Sequence, residues 1–261
     1  LEYTPQATAV FKGPFLHPDE NIDVAAILVP VFLLFLTKPQ ASETYVTDVV
    51  HSAPAGQSQR IVLPDSTVVY LNSKSILISP NRFVDKERNV YLIGEAYFKV
   101  AKDKEKPFRV KTQLMTIEAL GTEFSVLAYS HNDNVKTTLV EGTIQVEASG
   151  QDTPIKPKIL KVNQQSYYDL SLNEIEIKDV DVNLYTSWIN GTLIFDNTPF
   201  PDVIERLEIQ FDKKIEYSNA LKKYRISAKF IRNESLDEIL TLLSQITYSK
   251  IRKTNNAYHI K

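Results

Sequence analysis

Apolar residues recur at every second position between Gln59 and about Ile177, in short runs separated by turn residues. Met115, Ile117 and Ala119, for example, alternate with Thr116 and Glu118. A period of two is typical of strands with one buried face, and turn signals about every 8–12 residues favour a sandwich, roll or barrel. The turn signals are Pro64-Asp-Ser66, Gly94, Lys106-Pro107, Gly121, His131-Asn-Asp-Asn134 and Gly142. We predict an all-β domain over residues 59–180, formed as a jelly-roll-like β-sandwich.

Three of the seven glycines lie between Leu63 and Val146. Gly94, Gly121 and Gly142 each precede a β-branched or aromatic run. A tight turn at such a point can require a positive φ, which glycine adopts at little cost. We therefore interpret the three as determinants of the fold.

The C-terminal part, residues 181–261, repeats itself. Leu193–Asn197, a helical pattern from Phe200, and Lys214–Tyr217 recur 36 positions later as Lys229–Asn233, a second helical pattern, and Lys250–Lys253. This arrangement predicts two β-α-β units that bury one apolar face of each helix against a small shared sheet.

Both helix starts carry capping signals. We predict Thr198 as the N-cap of the first helix, with Pro199 at its first position. Ser235-Leu-Asp-Glu238 has the pattern of a capping box at the start of the second. The predicted apolar faces are Phe200, Val203, Ile204, Leu207 and Phe211 in the first helix, and Leu236, Ile239, Leu240, Leu243 and Ile246 in the second.

The N-terminal part has no strand or helix period until an apolar stretch begins. We interpret residues 1–23 as an irregular tail, 24–38 as a candidate membrane span and 39–58 as a polar linker. The apolar stretch is shorter than the roughly 20 residues that cross a bilayer, so a signal-type segment and a buried helix remain alternatives to a membrane anchor. Because the chain does not begin with Met, we expect it to be a fragment.

Composition excludes several kinds of chemistry. Without cysteine the chain has no disulfide, no thiol nucleophile and no Cys-ligated zinc. Its net charge is −2, with 30 basic and 32 acidic residues, so the electrostatic signature of a nucleic-acid-binding protein is missing. There is no HExxH, GxSxG or P-loop motif, and Glu95 and Glu123 are better explained as structural acids than as a glycosidase pair. We expect no enzymatic activity, no metal and no cofactor.

An ordered set of short motifs supplies the one pointer to function. The set comprises Leu63-Pro-Asp-Ser-Thr67, Gly94-Glu-Ala-Tyr-Phe98, Pro107-Phe108, Leu120-Gly-Thr-Glu-Phe124, Val140-Glu-Gly-Thr143, Trp188, Gly191 and Phe195. Over residues 56–261 this order resembles the FecR family, the envelope-spanning anti-sigma regulators that pair with TonB-dependent outer-membrane transporters. The family's C-terminal domain is similar to the N-terminal domains of secretins and TonB-dependent transporters and consists of two β-α-β units.

Two departures from the family pattern stand out. Family members usually have glycine where Ser66 follows Leu63-Pro-Asp65, and since serine does not easily adopt a positive φ, we expect this turn to differ. The resemblance implies a helical cytoplasmic domain that holds the sigma factor, but only 23 residues precede the apolar stretch, so we do not assign that domain to this chain; it was either removed or is absent.

The resemblance implies a location and two partners. We expect a single-pass protein of the bacterial inner membrane, with its C-terminal bulk in the periplasm. The expected partners are the signalling domain of a TonB-dependent outer-membrane transporter and, through the missing cytoplasmic domain, a sigma factor. Whether the sigma factor is inhibited or activated stays open.

We predict that the transporter domain docks by β-augmentation on an exposed sheet edge of the C-terminal domain. The candidate edges are residues 226–230 and 257–260, and the candidate contact residues are Ile226, Ala228, Phe230, Tyr258 and Ile260. Trp188 marks the entry to that domain. The alternative function is a carbohydrate-binding or hydrolytic β-sandwich, which would need a cleft lined with exposed Trp or Tyr and paired acids. A purely structural envelope protein is the third possible function.

Overall fold

The structure is a computed structural model that describes residues 45–149, 155–231, 234–255 and 257–261. The predicted tail, the candidate span 24–38 and the first part of the linker lie outside the described residues. Among the helices of the described ranges, none combines the length and the apolar character that a membrane crossing requires.

Within the described ranges, thirteen strands form the first domain. They are β1 (Asp48–Ser52), β2 (Gln59–Val62), β3 (Val68–Leu71), β4 (Ile76–Pro80), β5 (Arg88–Lys99), β6 (Phe108–Lys111), β7 (Met115–Ala119), β8 (Glu123–Ala128), β9 (Asn134–Glu141), β10 (Ile144–Ala148), β11 (Lys158–Leu160), β12 (Gln164–Asp169) and β13 (Glu174–Asp179). The prediction of an all-β sandwich is confirmed.

The strands form two sheets that share β5. The first sheet has the order β1-β4-β5-β6-β7-β10-β11, and in it β4 and β6 pair with the N-terminal half of β5. The second sheet has the order β2-β3-β5-β8-β9-β12-β13, and in it β3 and β8 pair with the C-terminal half of β5. All these pairs are antiparallel except β5 with β6. One long strand therefore passes from one layer of the sandwich to the other.

Side chains from both sheets fill the space between them. Phe98 and Phe124 of the second sheet stack with their ring centroids 5.2 Å apart, and Phe98 also lies 6.1 Å from Phe108 of the first sheet. All three are completely buried. Burying aromatic rings of this size is a main source of the free energy that stabilises the sandwich.

Gly94 lies where β5 changes sheets. Ile93 still pairs with Ile76 of the first sheet, whereas Gly94 already pairs with Ala128 of the second. Gly94 has a φ of 109°, and a Cβ atom built on it would lie 2.3 Å from Oγ of Ser75. Gly121 and Gly142 also have positive φ values, 136° and 89°. All three glycines thus have the positive φ that the sequence predicted. Gly94, however, lies at a bend within a continuous strand and not in a tight turn.

The turn after Leu63 is supported by a buried arginine. Ser66 has a φ of 71°, so this serine adopts the left-handed conformation despite a cost of about 1–2 kcal/mol for a residue with a Cβ atom. Asp65 accepts hydrogen bonds from the backbone N–H and hydroxyl of Thr67 at 3.0 and 2.7 Å. Its carboxylate also pairs with the buried Arg88 at 2.7 Å, and these contacts hold the turn in place.

One predicted boundary differs from the structure. Residues 39–58 were expected to form a linker, yet β1 lies there and pairs with β4 from Asp48↔Pro80 to Ser52↔Ile76. β1 is an edge strand whose side chains are nearly all exposed, Val50 by 63%. Since main-chain hydrogen bonds hold such a strand, its sequence carries no apolar alternation that would reveal it.

The C-terminal domain contains the two predicted β-α-β units. After a short helix α1 (Asn183–Thr186) come β14 (Leu193–Pro199), α2 (Phe200–Phe211), β15 (Lys214–Tyr217), β16 (Arg225–Phe230), α3 (Leu236–Thr247), β17 (Ile251–Lys253) and β18 (Ala257–Ile260); 3-10 turns lie at Ser187–Asn190 and Asn219–Lys223. The strands form two small sheets, β14-β16 and β15-β18-β17, so the prediction of one shared sheet is wrong. Both helices bury their predicted apolar face except Ile246, which is 40% exposed, and Phe211, which is half-buried.

The two helix starts behave differently. The capping box at Ser235 is confirmed, since the Ser235 hydroxyl accepts from the backbone N–H of Glu238 and the Glu238 carboxylate accepts from that of Ser235. The prediction that Thr198 caps α2 is wrong, because the N-cap residue is Pro199. The Thr198 hydroxyl instead accepts a hydrogen bond from the backbone N–H of Asp196. Thr198 belongs to β14, which runs directly into α2.

We expect Gly94→Ala to destabilise the protein by about 2 kcal/mol or more, because the added methyl group overlaps Ser75 in addition to straining φ. Gly56→Ala is the matched control. Gly56 also has a positive φ, of 73°, but its Cβ would meet only the backbone oxygen of Gln210, at 3.7 Å. Urea unfolding of both variants measures the difference, and equal losses would contradict a role for close packing at Gly94.

Candidate functional site: the junction of the two domains

Helix α2 joins the two domains because both of its faces are occupied. Phe200, Val203, Ile204 and Leu207 point into the core of its own domain and are at most 2% exposed. Arg206, one position from Leu207, lies on the face that meets the β-sandwich. Residues 46–261 accordingly form one compact unit.

A buried ion pair lies at the centre of the junction. The Arg206 guanidinium of α2 pairs with the Glu95 carboxylate of β5. The Glu95 side chain is 2% exposed and the Arg206 side chain 16%. A carboxylate this deeply buried remains charged only if a cation and hydrogen bonds compensate for lost hydration.

The sandwich supplies the remaining partners of Glu95. The Asn72 side-chain amide donates to the Glu95 carboxylate at 2.6 Å, and the backbone N–H of Glu95 donates to the Ser75 hydroxyl at 2.8 Å. The Tyr129 hydroxyl donates to the backbone oxygen of Ser73 at 2.8 Å. The Asn72 amide from the sandwich and the Arg206 guanidinium from α2 thus both contact the carboxylate.

The electrostatics of this cluster follow from burial and proximity. Burial alone would lower the pKa of Arg206, but the adjacent Glu95 carboxylate outweighs it and raises the pKa. Burial, together with the negative charge of Glu95, raises the pKa of the Tyr129 hydroxyl. The arginine therefore stays charged and the tyrosine neutral at physiological pH.

Two further polar links flank the ion pair. The Asn132 side-chain amide donates to the Glu205 carboxylate of α2 at 2.7 Å. At the other end of the helix, Lys74 pairs with Asp212 at 2.5 Å. The Lys74–Asp212 pair is about half exposed on each side, so it contributes little stability compared with the buried pair.

Apolar contacts complete the junction. Tyr97 of β5 is 4% exposed and belongs to the same buried cluster as Trp188 and Phe200 of the C-terminal domain. Tyr70 packs against this cluster, with its ring 6.3 Å from that of Tyr97. The aromatic residues of the sandwich's outer face thus form part of the C-terminal core.

A cleft of about 450 Å³ opens beside the ion pair, and both Glu95 and Arg206 line it. One wall is the outer face of the second sheet, the other is β14 with α2, and the segment from Leu184 to Ser187 contributes further. Its size is within the range of about 300–1,000 Å³ that is usual for ligand sites.

The chemistry of the junction is that of binding and support. Glu95 is engaged by Arg206, and Glu123 accepts hydrogen bonds from Tyr97 at 2.5 Å and from Lys99 at 3.2 Å. Burial would raise the pKa of Glu123, but these bonds outweigh it and lower the pKa. The one tryptophan, Trp188, is 3% exposed and cannot stack on a sugar in a cleft. Within the described ranges, no group of three His, Asp or Glu side chains is placed to hold a metal ion.

The predicted partner-binding residues lie in the C-terminal core. Ile226, Phe230, Tyr258 and Ile260 are at most 6% exposed, and Ala228 packs against the same cluster. Because β18 pairs with β15 on one side and β17 on the other, the prediction that residues 257–260 form a free edge is wrong. Among the described strands, β16 pairs with β14 alone, so docking there stays a prediction that depends on main-chain groups.

Sequence reasoning missed Arg206 as a junction residue. Arg206 and Glu95 are 111 positions apart, and each reads locally as an ordinary polar residue of a helix or strand. One signal was available in the β5 sequence: Glu95 and Tyr97 occupy the alternate positions that exposed residues hold earlier in the strand, where Tyr91 is 51% and Ile93 45% exposed.

Comparison with known proteins agrees with this architecture. Residues 48–145 match the model of the "FecR protein" family, and residues 192–260 match that of "FecR, C-terminal". The chain belongs to the FecR family. This is a family of anti-sigma factors, and membership indicates a regulatory role with a sigma factor as partner.

Two crystal structures from Parabacteroides distasonis ATCC 8503 are similar to this FecR-family chain, each of a "putative anti-sigma factor". One is 29% identical with a TM-score of 0.74, the other 28% identical with a TM-score of 0.73. Each comparison covers 82% of this chain and 98% of the other. Among curated proteins, no significant match was found.

We expect Arg206→Ala to cost about 3–5 kcal/mol of unfolding free energy, because it leaves the Glu95 carboxylate buried without a counter-charge. Adding Glu95→Gln should recover part of that loss. Lys74→Ala, which breaks the exposed Lys74–Asp212 pair, is the control and should cost less than about 1 kcal/mol. Chemical unfolding of wild type, Arg206→Ala, Glu95→Gln, the double variant and Lys74→Ala decides, and strictly additive losses in the double variant would argue against direct coupling.

The Tyr97 hydroxyl gives a prediction about pH. Burial and the hydrogen bond to Glu123 raise the pKa of Tyr97 above its ordinary value of 10. A raised pKa in the folded state contributes stability that is present below pH 10 and lost as pH rises above it. Wild type should be about 2 kcal/mol more stable than Tyr97→Phe at pH 8, and the gap should close by at most about 1.4 kcal/mol per pH unit above pH 10. A gap that stays constant in unfolding measurements from pH 8 to 11.5 would contradict this.

Proposed function

We propose that this chain is the periplasmic part of a transmembrane anti-sigma regulator. It receives a signal from a TonB-dependent outer-membrane transporter and passes it across the inner membrane to control a sigma factor. Residues 24–38 would provide the single membrane span, and the sigma factor would bind a cytoplasmic domain outside this chain. The observation that carries the proposal is that both family segments occur in one chain, in order.

Docking of the transporter's signalling domain would use the C-terminal domain. Of the two candidate edges, β16 pairs on its second side with no strand of the part of the chain that the structure describes, whereas β18 is internal to its sheet. The outward side chains of β16 are Arg225, Ser227 and Lys229, all exposed. An added strand would form main-chain hydrogen bonds with β16 and lie beside these polar side chains.

Proline scanning of β16 tests this docking. Successive backbone N–H groups of a strand point to opposite edges of that strand. Of the two variants Ala228→Pro and Lys229→Pro, one therefore removes an N–H that donates to β14, and the other removes an N–H on the open edge of β16. We expect one of the two variants to keep the wild-type melting temperature yet bind the purified signalling domain of a transporter from the same organism at least tenfold more weakly. Isothermal titration calorimetry on the full chain measures the affinity.

Lys253→Pro, on the edge strand β17 of the other sheet, is the matched control, because the N–H of Lys253 points away from β18; it should bind like wild type. If Lys253→Pro weakens binding and the β16 variants do not, the docking edge is β17. If the wild-type chain binds none of the organism's signalling domains, the transporter part of the proposal is wrong.

A further inference from the structure

The cleft at the junction runs along the free edge of β14. All seven residues of β14, Leu193–Pro199, line the cleft. Alternate side chains of a strand point to opposite faces, so a cavity that meets every residue in turn meets the strand at its edge. β14 pairs with β16 on its other side, and no further strand of the described ranges pairs with it.

The opposite wall is a row of polar side chains on the second sheet. Ser125, Thr138, Gln165 and Lys178 are cross-strand neighbours on β8, β9, β12 and β13, and all four line the cleft. The Gln165 side-chain amide donates to the Thr138 hydroxyl at 2.8 Å, and both residues are at most 2% exposed. This row gives the wall fixed donors and acceptors.

The same wall carries two lysines without a carboxylate partner. Lys178 ends the polar row, and Lys136 stands in the next row, its ammonium 5.9 Å from the centre of the Tyr167 ring. Among the described residues, neither forms an ion pair. Three of the four acids that line the cleft already have a partner: Glu95 pairs with Arg206, Glu205 accepts from Asn132, and Asp196 accepts from the Ser227 hydroxyl; Asp202 is the fourth.

We propose that this cleft binds an extended peptide segment that carries an acidic side chain. The segment would add to β14 as a new strand through main-chain hydrogen bonds, and its carboxylate would face Lys136 and Lys178. The unpaired strand edge specifies an extended backbone, and the two lysines specify the charge. This site is separate from the open edge of β16, and the inference does not depend on the transporter being the partner.

Selection from a random displayed heptapeptide library against the full chain tests the proposal. We expect enrichment of peptides with Asp or Glu flanked by residues of high β-propensity. Synthetic copies should bind the variant Lys136→Glu plus Lys178→Glu at least tenfold more weakly in fluorescence anisotropy. Lys161→Glu, an exposed lysine outside the cleft, is the matched control and should change the affinity less than twofold.

Two further measurements separate strand addition from other modes. Amide hydrogen exchange of residues 193–199 should slow when the peptide binds, and peptides with alternate backbone N-methyl groups should lose binding. If no peptide is enriched, if the double variant binds equally well, or if N-methylated peptides bind unchanged, the proposal is wrong. Should the double variant melt at a lower temperature, the single variant at the exposed Lys178 replaces it, with a loss of at least threefold expected.

Discussion

The contact between Glu95 and Arg206 is the interaction on which the arrangement of the two domains depends. Each charge would be unfavourable in its buried position alone, so the pair stabilises only the docked arrangement. On the sandwich side, the Asn72 amide donates to the carboxylate, and the Ser75 hydroxyl accepts from the backbone N–H of Glu95. Together with the buried Tyr97, the pair joins α2 to β5, because α2 cannot move away from β5 without exposing both.

Strand β5 connects this junction to the rest of the sandwich. Its first half belongs to one sheet and its second half to the other, with Gly94 at the change. Glu95 and Tyr97 follow immediately, on the face that meets the C-terminal domain. A bend that only glycine allows without overlap with Ser75 therefore aims the residues that bind the second domain.

The two-stranded sheet β14-β16 offers one edge to each proposed partner. The β14 edge faces the cleft between the domains, and the β16 edge is open. Since β14 and β16 exchange main-chain hydrogen bonds directly, a strand added to either edge extends the same small sheet. Binding events at the two edges would thus be adjacent in the structure while using different chemistry.

The sequence by itself determined the elements. Period-two alternation predicted the sandwich, the 36-residue repeat predicted both β-α-β units, and Ser235 and Glu238 predicted their capping box, because these signals come from residues close together in the chain. It missed β1, whose exposed side chains leave no pattern, and the Pro199 cap, where β14 runs directly into α2. Only the tertiary structure decided that the repeat forms two sheets, that β18 is internal, and that Glu95 meets Arg206. These depend on contacts between residues far apart in sequence, for which local periodicity carries no information.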